Sequence, residues 1–251
     1  MLKILSIGNS FSQDAQRYLT RFARAAGDEI MTGNLEIGGC SLEQHWNYFT
    51  GETKNYGWEV DGVWKAEGRV LTEGIMQDKW DIITIQQVSH LAGTPETFEP
   101  YLSNLVTAIR AMQPDAKLYF QETWEYEIGS AHGGFPEYGC DPDVMHTRVR
   151  NTCREAAKEN DLIIIPSGDA VHAAKQLAEF DPDKGGQSLY RDKFHMHLTY
   201  GRYLLACVWY KTLLCKSPVG VNFLPDDIPD GETLNESLLP LLQKVANSTL
   251  A

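Results

Sequence analysis

The sequence predicts an α/β protein, a three-layer arrangement with a parallel sheet covered by helices on both faces. Short apolar, β-branched runs recur along the chain, and a stretch with helical period follows each of them. Its 251 residues, 43% hydrophobic and 22% charged, suit a single domain of this kind. A domain of that size removes roughly 70–75% of its unfolded surface from water and needs no disulfide or structural metal to fold.

Residues 2–7 form the first apolar run and lead into 14–26, where Ala15, Tyr18, Leu19, Phe22, Ala25 and Ala26 share one helical face before Gly27. Residues 30–37 predict a strand and 42–49 a helix. The run Asp81-Ile82-Ile83-Thr84-Ile85-Gln86 has the β-branched character of a central strand. Helix 98–112 ends before Pro114, strand 116–120 follows, then helix 144–159 and strand 162–165, which stops at Pro166. Helices over 170–180, 203–214 and 234–246 complete the pattern. Two segments break it. Asp61-Gly62 between β-prone runs predicts a hairpin insertion at 56–65, and the Gly-, Pro-, Tyr- and His-rich segment 125–143 predicts a long loop beyond a strand end. No repeat, linker or low-complexity tract divides the chain, so one domain is expected over 1–251.

With 22 Lys+Arg against 34 Asp+Glu the net charge is −12, which argues against nucleic acid and anionic lipid as partners. No run approaches the ~20 apolar residues of a membrane helix. The apolar start meets Gly8-Asn9 too soon for a signal-peptide core, so a cytoplasmic protein is expected. The cysteines Cys40, Cys140, Cys153, Cys207 and Cys215 are odd in number and form no CxxC pair, which fits reduced thiols.

Parallel sheets bind ligands at the carboxyl ends of their strands, and polar signals gather there. Ser10 and Ser12 lie where the first strand turns into a helix. A serine at such a turn exposes its hydroxyl beside helix-start N–H groups and can serve as a nucleophile, or either serine can simply cap the helix. In Asp192-Lys193-Phe194-His195-Met196-His197 an acid three residues before a histidine can set one ring nitrogen and leave the other as a base. His195 and His197 also share a face if the segment is extended, a metal reading that would need further ligands such as His90 or His132. Gly38-Gly39-Cys40-Ser41 lets backbone approach a ligand, or is a turn with Ser41 as cap. Gln86-Gln87-Val88-Ser89-His90 places amide donors at a third strand end, or satisfies a polar loop. Cys40 is expected as a small buried side chain behind the site. Asp169 and His172, in the first turns of a later helix, could line a subsite, although capping explains Asp169.

In this order the segments resemble the SGNH (GDSL-type) hydrolases, and within them a bacterial branch marked by Gly8-Asn9-Ser10-Phe11-Ser12. The resemblance also rests on Ile37-Gly38-Gly39-Cys40-Ser41-Leu42, Thr84-Ile85-Gln86-Gln87-Val88-Ser89-His90, Pro166-Ser167-Gly168 and Gly201-Arg202-Tyr203-Leu204, and runs from Lys3 to about Pro225. It implies a flavodoxin-like three-layer sandwich and a serine esterase without metal or organic cofactor. Ser10 would be the nucleophile, His195 the general base and Asp192 its orienting partner. The N–H groups of Ser10 and Gly39 would bind the oxyanion. Two departures stand out: Asn9 replaces the usual aspartate, and the Gly-x-Asn-Asp block is absent. The third oxyanion donor is therefore expected at Gln87, with Gln86 and His90 as alternatives.

His45, Trp46, Tyr48, Phe49, Tyr56, Trp58, Trp64, Trp124 and Tyr126 cluster near the expected rim, and aromatics with polar neighbours suit a sugar ring. Core or hairpin packing is the competing explanation for each. Gln86, His90, Trp46 and Trp124 are the candidate substrate contacts. The expected activity is removal of O-acetyl groups from an oligosaccharide, with a small-molecule ester as the partner. A short-chain acyl or lysophospholipid esterase is the alternative. A metal-dependent hydrolase built on His195 and His197, or a saccharide-binding domain without turnover, belong to other classes.

Overall fold

A computed structural model describes residues 1–250. Seven strands, β1 (Leu2–Gly8), β2 (Ile30–Glu36), β3 (Tyr56–Val60), β4 (Val63–Arg69), β5 (Ile82–Ile85), β6 (Lys117–Gln121) and β7 (Ile163–Ile165), form one sheet in the order β4-β3-β2-β1-β5-β6-β7. β1, β2, β5, β6 and β7 run parallel. Without the hairpin their order is 2-1-3-4-5, the doubly wound order whose switch point lies between β1 and β5. The sheet is mixed, because β3 and β4 extend it antiparallel at the edge of β2. Asp61 and Gly62 both take left-handed backbone in the connecting turn, the geometry a two-residue hairpin needs.

The helices are α1 (Ser10–Gln16), α2 (Leu19–Ala25), α3 (Leu42–Thr50), α4 (Leu71–Met76), α5 (Tyr101–Met112), α6 (Pro142–Glu159), α7 (Ser167–Lys175), α8 (Tyr200–Leu214) and α9 (Leu239–Ser248). α8 packs on α1 and α2 and is in turn covered by α7 and α9, which explains why most of its residues are buried. On the other face α3 and α4 pack on α5, and α6 lies over β6 and β7. No helix among the described residues is long and apolar enough to cross a membrane.

Three differences from the expected elements have local causes. The helix expected over 14–26 is two, and begins at Ser10, because a polar first turn gives no apolar period to read. At the break, the Arg17 guanidinium donates to the Gly62 carbonyl (2.7 Å) and to Asp227 (Nη2 to Oδ1, 2.8 Å). α4 is too short to show a period and contains Gly74, whose missing side chain makes room for Leu35. Segments 170–180 and 234–246 each hold a shorter helix beside a separate 3-10 turn, at Ala178–Phe180 and Glu236–Leu238. Loop 125–143 packs inward through Tyr126, Phe135 and Tyr138, and the Tyr138 hydroxyl accepts from the Gly93 N–H and donates to the His90 carbonyl, both at 3.0 Å.

Candidate active site

The loops after β1, β2 and β5 meet at the carboxyl edge of the sheet, and Asn9 organises the first of them. Its backbone is extended, and its Oδ1 accepts from the Phe11 N–H at 3.0 Å, so Asn9 caps α1 rather than Ser10 or Ser12. Gln86 Nε2 donates to the same Oδ1 at 2.7 Å, and Asn9 Nδ2 donates to the Cys40 carbonyl at 3.1 Å. One side chain thus ties all three loops together. Ser12 donates to Asn34 Oδ1 (2.9 Å) beneath the turn, so close to β1 that a Cβ at Gly8 would stand 2.6 Å from its hydroxyl. With the cap supplied by Asn9, the Ser10 hydroxyl is left for another partner.

That partner is His195, whose Nε2 lies 2.8 Å from Ser10 Oγ. The other ring nitrogen, Nδ1, lies 2.7 Å from Asp192 Oδ2. A carboxylate on Nδ1 holds the proton there and leaves Nε2 as the acceptor for the serine hydroxyl. Asp192 Oδ1 also accepts from the N–H groups of His195 (2.7 Å) and Phe194 (3.2 Å), a tight turn made possible by left-handed backbone at Lys193. Burial raises the Asp192 pKa, but the His195 ring and these backbone donors outweigh it and hold the carboxyl below its usual range.

Ser10 and His195 open into a cavity of about 310 Å³, whose walls include Asn9, Gly39, Val88, His90, His132 and Phe194. Among the described residues the N–H groups of Ser10 and Gly39 have no intramolecular acceptor, and Gly39 holds a left-handed backbone (φ +66) that a side chain would strain. Gln87 does not reach this cavity. Its Oε1 accepts from the N–H groups of Leu42 (3.0 Å) and Val88 (2.9 Å), and its Nε2 donates to the carbonyl (3.0 Å) and hydroxyl (3.1 Å) of Thr97. Gln86 spends its Nε2 on Asn9. His90 does line the cavity, and neither of its ring nitrogens has a partner in the chain among the described residues. Burial and the neighbouring His132 lower the His90 pKa, favouring the neutral ring with one N–H to give.

The expected rim aromatics divide. Trp124 is fully buried: its ring stacks on Phe11 with centroids 4.1 Å apart, and its Nε1 donates to the Phe194 carbonyl at 2.8 Å. It braces α1 against the His195 loop and does not line the cavity. Trp46 stacks on Phe49 outside the cavity. His45, Tyr56 and Trp58 are core residues, with His45 Nδ1 2.7 Å from Tyr56 Oη. Burial lowers the His45 pKa to about 3 and, with the Glu36 charge, raises that of Cys40 to about 12, so Cys40 is an inert thiol behind the site. His197 points away from His195: its Nδ1 accepts from the N–H groups of Thr199 (3.2 Å) and Tyr200 (3.4 Å), and its Nε2 faces Glu232. The two histidines do not converge on a common ion.

A family model described as "Domain of unknown function (DUF4886)" matches residues 3–235. The chain belongs to the DUF4886 family. A DUF4886 protein of known structure from Bacteroides uniformis is 31% identical over 98% of this chain and 93% of that one, with a TM-score of 0.86. The DUF4886 chain also shares the SGNH hydrolase fold. A putative SGNH hydrolase from Slackia heliotrinireducens aligns at 22% identity and TM-score 0.58, over 84% of this chain and 98% of that one. The acetylxylan esterase Axe2 from Geobacillus stearothermophilus aligns at 15% identity and TM-score 0.55, over 84% and 94% of the two chains. No curated protein matches the chain.

Two features of the DUF4886 site were not expected from the sequence, beyond His172 as a subsite candidate. Asp14, fully buried in α1, receives Arg191 (2.9 Å), Arg202 (2.8 Å) and the Met196 N–H (3.1 Å), and so fastens the His195 loop to the helix that carries Ser10. The signal was a carboxylate on an otherwise inward helix face, with arginines on both sides of the distant histidines. The second is Glu125, His146 and His172, whose ligand atoms lie within 4.8 Å of one another and could hold a metal. None of the three lines the Ser10 cavity. The imidazoles stack in parallel, centroids 4.0 Å apart, and Glu125 Oε1 is already taken by Lys175 at 2.9 Å and faces His172 Nδ1 at 3.2 Å.

Proposed function

We propose that this protein is a serine esterase, and that it removes short acyl groups, acetyl foremost, from a carbohydrate. The observation that carries the reading is the continuous chain Ser10 Oγ, His195 Nε2, His195 Nδ1, Asp192 Oδ2, with links of 2.8 and 2.7 Å, opening on two uncommitted backbone N–H groups. As His195 Nε2 takes the hydroxyl proton, Ser10 Oγ attacks the ester carbonyl, and Asp192 stabilises the imidazolium. The oxyanion is received by the N–H groups of Ser10 and Gly39 and by a neutral His90 ring. Each such donor is worth roughly 2.7–4 kcal/mol in the transition state. Collapse breaks the bond to the alcohol, which leaves with the proton from His195. Water, deprotonated by the same ring, then releases the acid and restores Ser10.

A cavity of about 310 Å³ walled by glycines and rings suits a short acyl group, and an acetylxylan esterase shares the fold. The test is hydrolysis of p-nitrophenyl acetate, butyrate and octanoate, with and without EDTA, by wild type, Ser10→Ala and His195→Ala. Acetate-preferring, EDTA-resistant turnover that falls at least about 10³-fold in both variants is expected. Equal rates in all three proteins would remove Ser10 and His195 from the chemistry.

A further inference from the structure

A second cleft of about 500 Å³ adjoins the catalytic cavity, and Gly38 lines both. A Cβ at Gly38 would meet nothing within 4 Å, so no side chain crowds the border between the two spaces. The cleft lies between the end of β2 and the β3–β4 hairpin, with Glu36, Lys54, Asn55, Trp64 and Glu67 on its walls. Trp64 is 44% exposed on the outer strand, although an indole gains by burial. Its ring lies on the backbone of Gly57, where a Cβ would stand 2.2 Å from the indole. One face is therefore supported and the rest is left toward solvent.

An aromatic face ringed by carboxylates, an amide and an ammonium is what a sugar ring needs, with C–H groups for the indole and hydroxyls for the polar rim. Lipid offers nothing to that rim. Two carboxylates against one ammonium, with Glu59 close behind Glu36, disfavour an anionic sugar. We propose that this cleft binds the neutral sugar rings of the substrate, with Trp64 as the stacking platform, while the acyl group enters the Ser10 cavity past Gly38. The proposal rests on the esterase reading and names the leaving group of that reaction. Burial and the Glu59 charge raise the Glu36 pKa above its usual range.

The experiment compares kcat/KM on partly acetylated xylotetraose and mannotetraose with kcat/KM on p-nitrophenyl acetate, for wild type, Trp64→Ala and Trp64→Phe. The saccharide-to-nitrophenyl ratio should fall roughly tenfold in Trp64→Ala, through KM, and recover largely in Trp64→Phe. A ratio unchanged by Trp64→Ala overturns the cleft as the sugar site, as does preference for an acetylated tetragalacturonate. Calorimetric titration of Ser10→Ala, with and without Trp64→Ala, by unacetylated xylotetraose and mannotetraose separates the two readings. If wild type hydrolyses no ester, the esterase reading fails, yet saccharide binding that depends on Trp64 still supports the cleft. If neither sugar binds, the cleft assignment fails whatever the hydrolysis shows.

Discussion

Asn9 and Gln87 show how a side-chain amide at a strand end can tie loops together instead of facing a ligand. Both carry amides and both lie next to the site, but each has spent its donors on neighbouring loops. Gln87→Ala should therefore act on stability: it strands the buried N–H groups of Leu42 and Val88, at about 1–3 kcal/mol for each group left without a partner. The urea midpoint should drop, and kcat of the folded fraction should change little. His90→Ala should do the reverse, lowering kcat about 10²-fold or more with KM nearly constant and the urea midpoint close to wild type. If Gln87→Ala costs the larger share of kcat, the third oxyanion donor is the glutamine after all. Asp192 and His195 were legible as a possible pair from their spacing, whereas the meeting of His195 with Ser10, far apart in sequence, was expected only from the family resemblance. Which of Gln86, Gln87 and His90 faces the cavity was not legible. That choice turns on which backbone groups of residues 42 and 97 need partners, and those are distant in sequence.

At the scale of elements, α1 and the loop before α8 are clamped by Asp14 between Arg191 and Arg202. Removing one side of a buried ion cluster leaves uncompensated charge, at a cost of about 3–5 kcal/mol. Asp14→Ala should lose stability of that order by urea titration, and its surviving folded fraction should turn over more slowly because His195 is no longer held over Ser10. Unaltered stability would mean that the arginines find water instead. The strands were readable from β-branched runs and most helices from their period. α4 and the early start of α1 were not, because a six-residue helix and a polar first turn leave no periodic trace. The sequence could signal a hairpin through Asp61-Gly62, but not that it would join the sheet, since that depends on the open edge of β2.

For the molecule as a whole, the buried cluster between loop 125–143, α6 and α7 sets a pH signature. The Glu125 carboxylate raises the His172 pKa, so this histidine contributes stability fully present below about pH 6.5 and lost as pH rises through its folded value. Burial raises the Glu125 pKa, but His172, Lys175 and His146 outweigh it and lower it. Its contribution is present above the usual carboxylate range and lost as pH falls through the depressed value. The stability difference between wild type and His172→Gln, from urea titrations at pH 6 and pH 9, should therefore shrink toward the higher pH. A constant or growing difference would show that His172 is neutral throughout.

The β3–β4 hairpin carries two unlike strands. On the inner one, Glu59 receives Gln13 (2.7 Å) and Asn34 (2.8 Å), and Asn34 in turn receives Ser12, so the strand underpins the turn that carries Ser10. The outer one is largely exposed and carries Trp64. Change on the inner strand is thus felt at Ser10 through a chain of side-chain contacts, whereas the outer strand can be rewritten almost freely. A lineage could alter what its members recognise by drift along one solvent-facing edge, and a library confined to residues 63–69 would explore the same space in the laboratory while the reaction centre stays as it is.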